Sequence, residues 1–145
     1  MNRAAHNKEQ ADKEPAPLPP LRIVVADDES DTVLTLATIL KQEGHIVYGF
    51  GTGREALAAA RMYEADVLIL DIQLPDMTGY DIARRVVDTF TQRPLLIAIS
   101  GRWKGQVDTL LSVVIGFDNH FAKPCDPNEL VSFLKDWQRN RGATR

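Results

Sequence analysis

The chain has 145 residues, 44% of them hydrophobic and 26% charged, with a formal charge of −3. That is one ordinary globular domain, large enough to build a core without disulfide or metal staples. The slight acidity offers no general attraction to nucleic acid or anionic lipid. No apolar run nears the roughly 20 residues that span a bilayer, and no apolar signal segment opens the chain. A lone Cys125 permits no internal disulfide, which fits a reducing cytoplasmic setting.

Residues 1–20 are polar, then proline-rich (EPAPLPP), with three bases balanced by three acids. They read as a disordered leader. From Leu21 the pattern alternates. LRIVVA is a short apolar run of the kind a buried parallel strand shows. Ser30 or Asp31 can cap a helix to about Glu43, with Val33, Leu34, Leu36, Ala37 and Leu40 inward and Gly44 closing it. HIVYGF is the second strand and Gly53 to Tyr63 the second helix. DVLILD is the third strand, followed by a Pro75-Asp76 turn and a helix from Gly79 to about Thr89. LLIAIS is the fourth strand. A helix carrying Val107, Leu110, Leu111 and Val114 follows it, then a short strand from Asn119 to Ala122. The fifth helix runs from about Pro127 to Arg139, with Leu130, Phe133, Leu134 and Trp137 at helical spacing. Strands alternating with helices predict an α/β domain over residues 21–139, with a parallel sheet covered on both faces and a flexible tail at 140–145.

Five side chains each sit where an apolar run stops: Asp27, Asp28, Asp71, Ser100 and Lys123. Parallel strands bring such positions to one edge of the sheet, where ligands of open α/β sheets bind. Two adjacent acids point in different directions, so one can ligate a cation and the other a bound water. Mg²⁺ prefers this kind of oxygen donor. Taken alone, the Asp27-Asp28 pair reads more readily as a helix N-cap than as a metal site. Asp71 ends a strongly apolar strand and needs solvent, a partner or a metal. Its carboxylate can also attack phosphorus. Ser100 can donate to a phosphoryl oxygen or simply turn the chain before Gly101. Lys123 can pair with Asp71 at rest and with a phosphoryl group afterwards. The bond to Pro124 is a candidate for the cis form.

Asp27-Asp28, Asp71, Ser100 and Lys123-Pro124, in this order and spacing, resemble the receiver domain of two-component response regulators. DIQLPDMTGYDIARR resembles the stretch after the family's phospho-acceptor, and GFDNHFAKPCDPNEL its last strand and helix. The likeness covers about Leu21 to Trp137. It implies a flavodoxin-like, doubly wound (βα)5 fold with strand order 2-1-3-4-5, for which a receiver serves as a standard example. It implies a stand-alone phosphorelay protein, not a turnover enzyme. A histidine kinase or histidine phosphotransfer protein would phosphorylate Asp71. Mg²⁺ would be held by Asp28, Asp71 and the backbone carbonyl of Gln73, with Asp27 acting through water. Lys123 would contact the phosphoryl group and Ser100 would move to meet it. The face of helix four, strand five and helix five would then reach a downstream protein target or form a homodimer, without nucleic acid or membrane. Where the family commonly has Tyr or Phe as a switch residue, this chain has His120, which can rotate or titrate.

Three other readings compete. One is a receiver fold kept for binding without phosphorylation, which filled acidic positions argue against. Another is a receiver piece of a hybrid histidine kinase. The third is a Mg²⁺-dependent phosphatase with an Asp nucleophile, disfavoured because Gln73 stands where such enzymes carry a second acid. Trp103 could anchor a partner or pack on the surface. Trp137 reads as half-buried core and Cys125 as a buried small residue. His6 and His45 have no companions that suggest a metal.

Overall fold

A computed structural model of the chain describes residues 18–101 and 116–143. Five parallel strands form one sheet in the order β2-β1-β3-β4-β5. They are β1 (Arg22–Ala26), β2 (Ile46–Phe50), β3 (Val67–Asp71), β4 (Leu95–Ser100) and β5 (Asn119–Ala122). Helices α1 (Ser30–Gln42), α2 (Gly53–Met62) and α3 (Gly79–Thr89) connect the first four, and α4 (Pro127–Ala143) follows β5. This is the expected flavodoxin-like order. The helix expected around Val107 to Val114 lies outside the described residues, as do His6, Trp103 and the leader through Pro17.

The continuous apolar runs hide a period of two, because successive side chains point to opposite faces. Val24, Ala26, Leu68, Leu70, Leu96 and Ala98 meet α2 and α3 on one face, through Ala56, Leu57, Ile82 and Val86. Ile23, Val25, Val67, Ile69, Ile97 and Ile99 meet α1 and α4 on the other, through Leu36, Leu40, Leu130 and Leu134. With two apolar faces, every residue of β3 and β4 is buried. Each buried Leu, Ile or Val contributes about 1.5–3 kcal/mol. The two cores fix where the strands end.

Helix ends follow local chemistry. Gly44 takes φ +94° after α1, a conformation that costs glycine little. Thr52 caps α2 by accepting from the Glu55 backbone N–H. Thr78 and Asp81 form a reciprocal capping box on α3, with both bonds at 3.1 Å. At α1 the expectation fails. Neither Ser30 nor Asp31 is the cap; extended Glu29 takes that position without a side-chain bond. Its carbonyl accepts from the N–H groups of Thr32 and Val33. Leu34, expected inward, is 67% exposed, and the buried stripe is Leu36 and Leu40.

The chain also continues beyond its expected ends. Gln138 Nε2 donates to the Pro19 carbonyl at 2.5 Å, which ties residues before β1 to α4. Helix α4 continues past Arg139 to Ala143. There Arg141 lies 5.0 Å over the Trp137 ring and 3.4 Å from Asp66. Trp137 packs, half-buried, against the core as expected, and Cys125 is half-buried rather than fully so.

His45 anchors the start of β1: its Nδ1 accepts from the Leu21 N–H at 3.1 Å, so that nitrogen carries no proton. Burial lowers its pKa, with Glu43 raising it and Lys135 lowering it less strongly. A base depressed on folding contributes stability above its unfolded pKa and loses it as pH falls. Denaturant unfolding of the wild type should therefore weaken between about pH 7 and about pH 5.5, relative to His45→Phe, whose stability lacks this term. Ile97 is 0% exposed at the centre of the sheet. Ile97→Ala should cost about 2–5 kcal/mol by the same measurement, whereas Leu34→Ala should change stability by about 0.5 kcal/mol or less.

Candidate functional site

Register accounts for the gathering of the acids. Ala26 pairs with Leu70, so the next residue, Asp27, lies level with Asp71. Ser100 pairs with Ala122, so Lys123 follows at the same edge, beside Gly101. The crossovers diverge between β1 and β3, and ligands bind at such switch points outside the carboxyl ends of the strands. One carboxylate oxygen each from Asp27, Asp28 and Asp71 lies within 4.8 Å of the others. Asp27 and Asp71 are buried, whereas Asp28 is exposed.

Lys123 bridges the cluster. Its Nζ is 2.7 Å from Asp27 Oδ2, 3.2 Å from Asp71 Oδ2 and 3.1 Å from Glu29 Oε1. The expected resting pair with Asp71 is present, and Asp27 is the shorter partner. Burial pulls the Lys123 pKa down, but hydrogen bonds to Asp27, Glu29 and Asp71 outweigh it and hold the ammonium above its usual range. Burial pushes the Asp27 carboxyl up, and the Asp71 charge adds to this. The bonds from Lys123 and from the Glu29 backbone N–H oppose it without reversing it. Asp27 is thus a carboxylate whose charge the protein alone leaves under-compensated.

The loop after Asp71 is tightly built. Gln73 N–H donates to Asp71 Oδ1 at 3.1 Å, and Gln73 forms an isolated bridge to Thr78. Gly79 N–H closes the loop on the Ile72 carbonyl at 2.6 Å. A Cβ on Gly79 would lie 3.0 Å from Ile72 Cα and 3.1 Å from the Asp71 carbonyl, so glycine permits this approach. Asp76 accepts from the Gly53 and Arg54 N–H groups at 2.8 and 2.9 Å, which lowers its pKa and joins the loop to the start of α2.

Ser100 is buried at the end of β4, and its carbonyl accepts from the Lys123 N–H at 3.1 Å. The Lys123-Pro124 bond is cis. His120 is half-buried on β5 opposite Ala98. Glu29 and Asp76 escaped sequence reading. Glu29 had a signal, a third consecutive acid after the strand. Asp76 had only its place in a turn. A cavity of about 750 Å³ opens at the opposite edge of the sheet among Glu64, Asp66, Phe90, Pro94, Trp137 and Arg141. It contains none of the clustered acids.

Buried acids, an ammonium and a hydroxyl at one sheet edge suit a cation and a phosphoryl group together. Residues 23–135 match the family described as response regulator receiver domain. CtrA, a cell cycle transcriptional regulator of Caulobacter vibrioides, is 31% identical over 113 residues, covering 77% of this chain and 48% of CtrA. The transcriptional regulatory protein CreB of Escherichia coli is 37% identical over 111 residues, again 77% of this chain and 48% of the relative. The chain therefore spans about half the length of these curated relatives. Among solved structures, a CheY-like receiver domain protein from Methanospirillum hungatei superposes with a TM-score of 0.78 at 24% identity, covering 88% of this chain and all of that one. The BeF3-activated N-terminal receiver domain of Klebsiella pneumoniae RstA gives 0.73 at 20% identity, covering 81% and 98%. The family match across most of the folded residues, with the acids and the lysine converging where its fold binds ligands, makes this chain a member of the response regulator receiver domain family.

Proposed function

We propose that Asp71 takes a phosphoryl group from a phosphohistidine on a histidine kinase or phosphotransfer protein, and that the domain signals through the change this causes. The observation that supports it most is Asp71 itself: a buried strand-end carboxylate with Lys123 Nζ 3.2 Å away. A carboxylate oxygen of Asp71 attacks phosphorus and an acyl phosphate P–O bond forms. The P–N bond to imidazole breaks, its electron pair stays on nitrogen, and the transferred oxygens gather charge. Lys123 answers that charge with hydrogen bonds. Ser100, whose carbonyl accepts from the Lys123 backbone N–H, would offer its hydroxyl.

The cluster fits Mg²⁺. Its donors are hard oxygens, three carboxylates can converge, and Asp27 carries a charge that burial disfavours. Asp28 and Asp71, with the Gln73 carbonyl, would hold the ion, and Asp27 would act through water. Bound there, the ion would offset charge on the transferred oxygens. Phosphorylation adds roughly −1.5 to −2 charges. The response would pass to β5 and α4, which flank Lys123, with His120 on β5 in the switch position and a downstream protein or a second copy as reader. The domain would modify itself and turn over no separate substrate. Its work would lie in the cytoplasm, where kinase histidines are phosphorylated.

Incubation with Mg²⁺ and acetyl phosphate or phosphoramidate should add one phosphoryl group to the wild type by intact mass, and none to Asp71→Asn or in excess EDTA. Lys123→Ala should slow the gain by about 10²-fold or more. A wild type that gains nothing from either donor, while binding Mg²⁺, would overturn the reading.

The acid cluster also yields a stability test. A carboxyl whose pKa rises on folding favours the folded state below its unfolded pKa, and that advantage disappears as pH climbs through the folded value. In EDTA at neutral pH, Asp27→Asn should therefore unfold at higher denaturant than the wild type. The gap should narrow as pH drops through the carboxylate range. Adding Mg²⁺ should stabilise the wild type more than the variant.

A further inference from the structure

We infer that Glu29 is a positioning residue: it draws the Lys123 ammonium toward the mouth of the site, and its charge slows small anionic phosphoryl donors. This rests on the reading of Asp71 as acceptor and concerns how that site is regulated.

An ammonium has three N–H donors. At rest Lys123 has three carboxylate acceptors, Asp27 at 2.7 Å, Glu29 at 3.1 Å and Asp71 at 3.2 Å. A phosphoryl oxygen can gain Lys123 only if one of them lets go. Asp27 is buried and in the tightest contact, and Asp71 receives the group itself. The Glu29 side chain is 66% exposed, so water replaces Lys123 there at least cost. Its placement is not casual. The Glu29 N–H donates to Asp27 Oδ1 at 2.9 Å, and its backbone is extended at the boundary of α1. The carboxylate is thereby aimed across the site at a lysine far away in the chain.

Charge gives the direction of the effect. Asp27, Glu29 and Asp71 contact Lys123, and Asp28 clusters with Asp27 and Asp71, so four acids gather around one base. Glu29 adds one more negative charge where a dianionic donor must enter. It also holds the ammonium that the donor needs. Both actions oppose transfer, and the Coulomb part is screened by salt because the side chain is exposed.

The test is the rate of Asp71 phosphorylation by acetyl phosphate at saturating Mg²⁺, in low salt and in about 0.5 M salt. Glu29→Gln keeps the shape and removes the charge. It should react about three- to tenfold faster than the wild type in low salt, and less than about twofold faster in high salt. Glu29→Asp keeps the charge and should show the salt dependence of the wild type. A Glu29→Gln rate equal to or below that of the wild type in low salt overturns the inference, as does a gain that salt leaves unchanged. If the wild type itself takes up no phosphoryl group, the Asp71 reading fails and the inference with it. A phosphorylated wild type beside an unaltered Glu29→Gln rejects the role of Glu29 alone.

Discussion

One ammonium among four acids is the constraint around which this molecule is arranged. Parallel strands that all end on one edge bring Asp27 and Asp71 together, and those charges repel. Lys123 reaches Asp27, Glu29 and Asp71 together, and its pKa is held high by them. Even so, burial leaves Asp27 with a raised pKa. The edge is therefore an electrostatically poor place for an empty protein and a good one for a cation with a phosphoryl group. Stability has to come from elsewhere, and the two apolar clusters on the faces of the sheet supply it.

Those clusters also explain why the acids are held in place. Every residue of β3 and β4 is buried, so neither strand can slip without exposing apolar side chains. The loop after Asp71 adds local rigidity. The Gln73–Thr78 bridge, the Gly79–Ile72 bond and the Asp76 contact with α2 leave it little freedom. Asp71 is thus presented by a rigid strand end and a braced loop, as the proposed near-in-line transfer to a fixed nucleophile would require.

Much of this was legible in the chain. Apolar runs of five or six residues separated by amphipathic stretches specify the strands, and their terminal polar residues specify the edge. The misreadings have physical causes. Leu34 looked inward because helical spacing alone does not show how wide the buried stripe is. Ser30 looked like a cap because Ser and Asp are good caps, yet the turn made by Asp27 and Asp28 put the boundary one residue earlier, at Glu29. That same residue became a partner of Lys123, a contact between two residues far apart in the chain. Local pattern carries no information on such a pair. The end of α4 was misplaced for a similar reason: Arg141 is kept helical by Trp137 and by Asp66, the latter from the strand-three side of the sheet.

The sheet is asymmetric in a way that bears on signalling. β1, β3 and β4 are covered on both faces, whereas β5 is an edge strand whose residues are half-buried or exposed. Opening free energies are lowest where apolar burial is least. Lys123 sits where this looser strand ends, and its backbone N–H is bonded to the Ser100 carbonyl on the rigid side. A new charge on Asp71 would pull on Lys123 and Ser100 together. If Asp71 is phosphorylated as proposed, the buried β1–β3–β4 core would resist and β5 would yield, so the displacement would pass into β5 and the start of α4, not back toward α1. The direction of the proposed response would thus follow from where burial is least among the described residues.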